Sequence, residues 1–247
     1  MITINNVHKS FGDKQVLRGV DLTINEGETL AIIGRSGCGK SVLLKHIVGL
    51  LFPEQGYVTI ENKRLDQASP AELYSIRRRF GFLFQGAALF DSMTVEENIS
   101  LPIIENNYNF TSAEIKKNIA EKLDWVGMPG VEKLKPSELS GGMKKRVSLA
   151  RALITSPDYI LYDEPTTGLD PIMSNAIDEL IRELAEALNV TSIVVTHDML
   201  SVKNVAQRVA MLNDGKIYFT GTPEELENSK DEVIFDFILR TKENVEK

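Results

Sequence analysis

Apolar and polar residues alternate through Val20, Leu22 and Ile24, the period of a half-buried strand. The polar tetrapeptide Asn25-Glu26-Gly27-Glu28 then makes a turn, and Thr29 to Ile33 is almost continuously apolar, as in a strand buried on both faces. Residues 1–33 therefore read as strands. After a glycine-rich loop the pattern predicts a helix from Lys40 through Leu50, broken by Pro53 and Gly56, before Tyr57-Val58-Thr59-Ile60 begins another strand. A basic run, Arg77-Arg78-Arg79, precedes the apolar strand Phe80 to Phe84. From about Met93 to Ala152 the chain is mainly helical, with a polar loop over 106–113 that ends in a helix cap. Tyr159 to Tyr162 is a further strand. Ile177, Leu180, Ile181, Leu184 and Leu188 fall on one face of an amphipathic helix, and Ser192 to Thr196 is another buried strand. Val209 to Leu212 and Ile217 to Phe219 form a hairpin around Asn213-Asp214-Gly215. This order predicts one α/β core with an inserted helical subdomain, not two independent domains.

The candidate chemistry gathers where apolar strands end. Gly34-Arg35-Ser36-Gly37-Cys38-Gly39-Lys40-Ser41 fits G-x-x-x-x-G-K-[ST] and lies between a buried strand and a helix, the context a phosphate loop needs. Its glycines let backbone N–H groups close around phosphates, Lys40 neutralises β/γ charge, and the Ser41 hydroxyl suits Mg²⁺. Asp163-Glu164 ends the strand Tyr159 to Tyr162. In a parallel sheet ligands collect at the carboxyl ends of strands, so Asp163 is placed for the metal and Glu164 for polarising an attacking water. Gln85, after Phe80 to Phe84, can hold a metal-bound water without adding charge. His197 follows Ile193-Val194-Val195-Thr196 and could contact a γ-phosphate or orient Glu164. Together these are the parts of phosphoryl transfer to water. His8 and His46 lack such a setting and read as structural or surface residues.

A second phosphate-reading element lies elsewhere. Leu139-Ser140-Gly141-Gly142 opens a basic helical stretch, and the first N–H groups of a helix have no intrahelical partners. The simplest way for both elements to serve one nucleotide is to bring two copies of the chain together.

These residues, in this order, resemble the ATPase subunit of an ABC transporter over nearly the whole chain. Gly34–Ser41 matches the family's Walker A, Tyr159–Glu164 its Walker B, Gln85 its Q-loop, Leu139-Ser140-Gly141-Gly142-Met143 its signature, Gly168-Leu169-Asp170 its D-loop and His197 its switch histidine. Met143 departs from the usual glutamine but leaves the phosphate-reading Ser140-Gly141-Gly142 intact. Phe11 falls where the family stacks an aromatic, usually tyrosine, on adenine. The resemblance implies a P-loop NTPase fold with a RecA-like α/β core (about 1–92 and 155–221), an N-terminal antiparallel β subdomain, an inserted helical signature subdomain (93–154) and a helical tail (222–247). It also implies ATP and Mg²⁺ as cofactors, with Ser41, Gln85 and Asp163 toward the metal. A head-to-tail homodimer is implied too, in which Ser140, Gly141, Gly142 and Asp170 act in trans. The segment Phe84 to Ile99, with Leu101-Pro102, looks like the ATPases of Mla/MCE-type lipid transport systems. That likeness implies a permease in the inner membrane, whose coupling helix would sit near residues 86–102, an MCE-domain lipid-binding protein, and a place on the cytoplasmic face. An importer ATPase for another small solute is the alternative.

Composition narrows the classes. With 28 Lys+Arg against 35 Asp+Glu the net charge is -7, which disfavours nucleic acid as a partner, and with it a soluble ABC ATPase working on DNA or ribosomes. A non-hydrolysing scaffold is disfavoured by Glu164 and His197 both being in place. The single cysteine, Cys38, excludes an intrachain disulfide. Beside Lys40 at a helix start its thiol could be reactive, but it reads as a small loop residue. The N-terminus lacks a signal-peptide pattern and no apolar run is long enough to span a membrane, so a cytosolic chain is expected. In the tail, Val233, Ile234, Phe237 and Ile238 form one apolar face that would dock on its own domain or on a second subunit.

Overall fold

In the computed structural model, which describes residues 1–245, the strands divide between two sheets. The chain begins with the antiparallel pair β1 (Ile2–Phe11) and β2 (Lys14–Ile24), in which Ile2 faces Ile24 and Ile4 faces Leu22 across the ladder. Buried strand β3 (Thr29–Ile33) follows, then helix α1 (Lys40–Ile47). Strands β4 (Gln55–Ile60) and β5 (Lys63–Arg64) complete a four-stranded antiparallel sheet in the order β2-β1-β4-β5.

Next come α2 (Pro70–Arg77), β6 (Phe80–Leu83), α3 (Val95–Glu105), α4 (Ser112–Trp125), α5 (Gly141–Leu153), β7 (Tyr159–Asp163), α6 (Pro171–Leu188), β8 (Thr191–Val195) and α7 (Met199–Val205). The hairpin β9 (Arg208–Asn213) and β10 (Lys216–Gly221) precedes α8 (Pro223–Glu227) and α9 (Glu232–Val245). The second sheet runs β10-β9-β3-β8-β7-β6; its interior pairs are parallel and only β10 is antiparallel. The expected strands, the amphipathic helix and the tight hairpin turn at Asp214-Gly215 are all present.

Local chemistry explains where the elements differ from the sequence reading. Helix α1 ends three residues before Leu50, because Gly49, with φ of 66°, adopts the left-handed conformation that closes a helix. Helix α2 was not signalled by its apolar period. It is set by Ser69, whose hydroxyl accepts from the Glu72 N–H while the Glu72 carboxylate accepts from the Ser69 N–H. Thr111 and Glu114 make the same box at the start of α4, the cap expected at the end of the 106–113 loop.

Among the described residues, three apolar clusters hold the chain together. One joins the antiparallel sheet to α1 and one face of the parallel sheet. A second joins α3, α4 and α5 to β6, β7 and α6. The third seats the tail: Ile234, Phe237 and Ile238 are buried against Ala31, Ile33, Met211 and Leu226. The tail thus docks on its own domain. The expected tail extended to residue 247, and its last two residues lie outside those described. Among the described residues no helix is long and apolar enough to cross a membrane.

Candidate functional site: a phosphate cradle at four strand ends

Parallel pairing fixes the site. Leu83 lies beside Tyr162, Asp163 beside Val195, and Ile32 beside Val195 on the other side. The residues that follow these strands, Gln85, Glu164, His197 and Gly34, therefore emerge at one edge of the sheet. They line a cavity of about 790 Å³ together with Arg35, Ser36, Gly37, Gly39, Lys40, Ser41 and Asp163. Of the expected loop residues, Cys38 lies just outside the lining.

The loop's shape depends on glycine. Gly34 has φ of 151°, and a Cβ there would run into the Leu212 carbonyl oxygen and lie 2.8 Å from Cys38 Sγ. Gly39, with φ of 112°, is the N-cap of α1, and Gly39, Lys40 and Ser41 place this helix start on the cavity wall, where a helix N-terminus favours an anion. The Lys40 ammonium donates to the Gly34 carbonyl at 2.7 Å and the Arg35 carbonyl at 3.2 Å. Burial pushes the Cys38 thiol up, against the opposing effect of Lys40, which agrees with a packing role for this side chain.

Two features mark Glu164. Its backbone is left-handed, with φ of 50°, a strained conformation for glutamate. Its N–H is held by the Val195 carbonyl at 2.8 Å, so β8 fixes the turn. The side-chain Oε2 accepts from Thr167 Oγ1 at 3.2 Å and stands 2.8 Å from His197 Nδ1. That hydrogen bond raises the His197 pKa above its ordinary value, outweighing burial. A protonated His197 keeps Nδ1–H on Glu164 and has Nε2–H as a second donor. Burial, then the charge of Glu164, raises the Asp163 pKa. A carboxylate in such a place gains from a nearby cation, so Asp163, with Ser41 and Gln85 on the same cavity, fits a divalent ion.

The chain matches the ABC transporter family over residues 17–167. It belongs to the ABC transporter family. It is 41% identical to the intermembrane phospholipid transport system ATP-binding protein MlaF of Haemophilus influenzae, over 96% of this chain and 90% of that protein. It is 39% identical to the methionine import ATP-binding protein MetN of Clostridioides difficile, over 92% of this chain and 70% of that protein. Among solved structures it superposes with a dimeric ATP-binding cassette bound to ADP and phosphate at a TM-score of 0.81 and 35% identity, covering 90% of this chain and 99% of that one. The chain is thus an ATP-binding, ATP-hydrolysing transport ATPase cassette.

The remaining expected residues lie outside the cavity. Phe11 sits at the hairpin end of β1, half exposed, and pairs with Lys14, which does line it. Ser140 caps α5, its hydroxyl accepting from the Met143 N–H at 3.3 Å. Asp170 caps α6 through the N–H groups of Ile172 and Met173, each at 3.0 Å. These two helix starts touch: a Cβ on Gly142 would collide with Met173 Cε, and one on Gly141 would lie 3.5 Å from Leu169. The helix starts at Ser140 and Asp170 are therefore neighbours, and neither lines the cavity.

Sequence reasoning missed the buried polar stripe of α5. Lys145, Ser148 and Arg151, spaced three apart on one helix face, all donate to main-chain carbonyls just after β6. Lys145 reaches Gln85, Ser148 reaches Ala87 at 2.8 Å, and Arg151 reaches Ala88 at 2.7 Å. Three polar residues at this spacing among Val147, Leu149, Ala150 and Leu153 were the available signal.

Proposed function

We propose that two copies of this cassette close head to tail over two ATP molecules and drive a membrane permease that moves phospholipid, with the chain on the cytoplasmic face of the membrane. The observation that carries the reading is that the two helix starts suited to phosphate do not share one cavity. One is in the cavity with Glu164 and His197; the other, Ser140-Gly141-Gly142, is outside it beside Asp170. A second copy supplies what one cavity lacks.

Within that dimer Phe11 stacks on adenine and the loop from Gly34 to Ser41 wraps the phosphates. Ser41, Gln85 and Asp163 hold Mg²⁺, which offsets phosphate charge when bound. Glu164 orients the attacking water and accepts its proton. His197 holds the Glu164 carboxylate and offers Nε2–H to the γ-phosphate. Ser140, Gly141, Gly142 and Asp170 of the second copy approach the same phosphate from the far side.

The phospholipid assignment rests on likeness to the MlaF proteins, and an MCE-domain lipid-binding partner goes with it. The likeness to a methionine importer ATPase supports the second reading, a cassette for another small solute. Purification of the tagged chain from detergent-solubilised membranes decides between them. A co-purifying permease with an MCE-domain protein and bound phospholipid is expected; a permease paired with a soluble solute-binding protein would favour the second reading.

A further inference from the structure

The Lys145 side chain is only 4% exposed, yet it carries an ammonium in the middle of the cassette. Burial lowers its pKa, while Asp163 and Glu164 oppose that shift. Its hydrogen bonds go to main-chain carbonyls. One is that of Gln85; the other, at 3.3 Å, is that of Glu164. Both acceptors belong to residues of the phosphate cavity, and Lys145 itself does not line it. A buried cation is costly unless its donors are satisfied, so this ammonium and these two carbonyls hold one another in place.

The Glu164 carbonyl has a particular need for such a partner. Its peptide is left-handed, and strained backbone persists only where the surroundings over-determine it. The Val195 carbonyl holds the Glu164 N–H from β8, and Lys145 holds the Glu164 carbonyl from α5. Lys145 lies one helical turn from Gly141, the residue that opens the helix. A tilt of α5 that brings the signature to a second subunit's nucleotide must therefore move, or be resisted by, the peptide that aims this subunit's own carboxylate.

We propose that Lys145 is a positioning residue for ATP hydrolysis, setting the Glu164 carboxylate from the signature helix through the Glu164 main-chain carbonyl, with the Gln85 carbonyl anchoring its ammonium. This makes the orientation of α5 in one subunit a condition for water activation in that same subunit. The inference rests on the role proposed for Glu164.

The test is a double-mutant cycle of Lys145→Met and Glu164→Gln, read by steady-state phosphate release and by binding of a fluorescent ATP analogue. Lys145→Met should lower kcat at least tenfold with KM for ATP and analogue binding within twofold of the parent. Lys145→Arg, which keeps a cationic donor, should recover most of the loss. In the Glu164→Gln background the residual rate should fall no further than twofold on adding Lys145→Met, because the group being positioned is already gone. A tenfold further loss there, or a kcat within twofold of the parent for Lys145→Met alone, would overturn the proposal. If Lys145→Met does not fold, Lys145→Gln is judged by the same thresholds. Near-normal hydrolysis by Glu164→Gln itself would instead remove the catalytic role of Glu164, a separate failure.

Discussion

The Glu164 carboxylate and the His197 imidazole stand 2.8 Å apart at the ends of adjacent strands β7 and β8. The pair shares a hydrogen bond in which the carboxylate favours the charged ring. The His197 pKa should therefore lie above its ordinary value of 6.5, and should fall toward that value in Glu164→Gln. NMR titration of the ring protons measures this. A raised folded pKa means that the pair's contribution to stability is fully present below pH 6.5 and is lost as pH rises through the folded value. An unshifted His197 in the wild-type protein would contradict the pairing.

Removing the charge of Glu164 tests its part in the chemistry. Glu164→Gln keeps the shape of the side chain and should keep ATP binding, while phosphate release falls by about 100-fold or more, the scale of a lost general base. The ATP-bound protein should then accumulate as a dimer in gel filtration. Near-normal hydrolysis would take Glu164 out of the mechanism.

The tail makes a stability prediction. Phe237 is buried on Ala31, Ile33 and Met211 and also borders the nucleotide cavity. Phe237→Ala should destabilise the isolated subunit by about 3–5 kcal/mol, as for other buried aromatic truncations. Thermal melting of the monomer without nucleotide is the measurement. An unchanged melting temperature would indicate that the tail docks on a second subunit instead.

Asp178 offers a pH test remote from the nucleotide. It is buried on α6 facing α7, where Asn204 donates to its Oδ2 at 3.3 Å and Oδ1 has no hydrogen-bond partner among the described residues. Burial pushes its pKa up from 3.8 to about 6. The folded state therefore holds a proton that the unfolded chain releases, so this group's contribution to stability is greatest below pH 3.8 and declines as pH rises through about 6. The loss amounts to about 3 kcal/mol at 1.36 kcal/mol for each pKa unit. Urea unfolding of Asp178→Asn should gain on the wild type by most of this amount between pH 4 and 7; parallel profiles would contradict it.

Much of this was legible in the sequence because the signals were local. Gly34 to Ser41 is a contiguous motif, and Gln85, Glu164 and His197 each follow an apolar run whose length predicts a buried strand. Once those strands are parallel neighbours, their ends must meet. The α5 stripe was not legible in that way. Lys145, Ser148 and Arg151 bind carbonyls of Gln85, Ala87 and Ala88, and a main-chain acceptor leaves no mark on residue identity. Ala87 and Ala88 even adopt left-handed conformations, with φ of 60° and 49°, that alanine gives no reason to expect. The early end of α1 was readable in principle, from Gly49, but the later Pro53 and Gly56 were the louder breakers.

The central claim, that each ATP site is completed by a second copy, is tested most directly by mixing two inactive variants. Ser140→Arg blocks the signature and Lys40→Ala disables the phosphate loop, so each alone should bind partners but release almost no phosphate. Mixed in equal amounts, half of the dimers are expected to combine the two variants. Each such dimer has one intact loop facing one intact signature, so about a quarter of wild-type phosphate release should return if the two sites work independently. No release above that of the separate variants, with both shown to be folded, or full turnover by Ser140→Arg alone, would contradict the composite site.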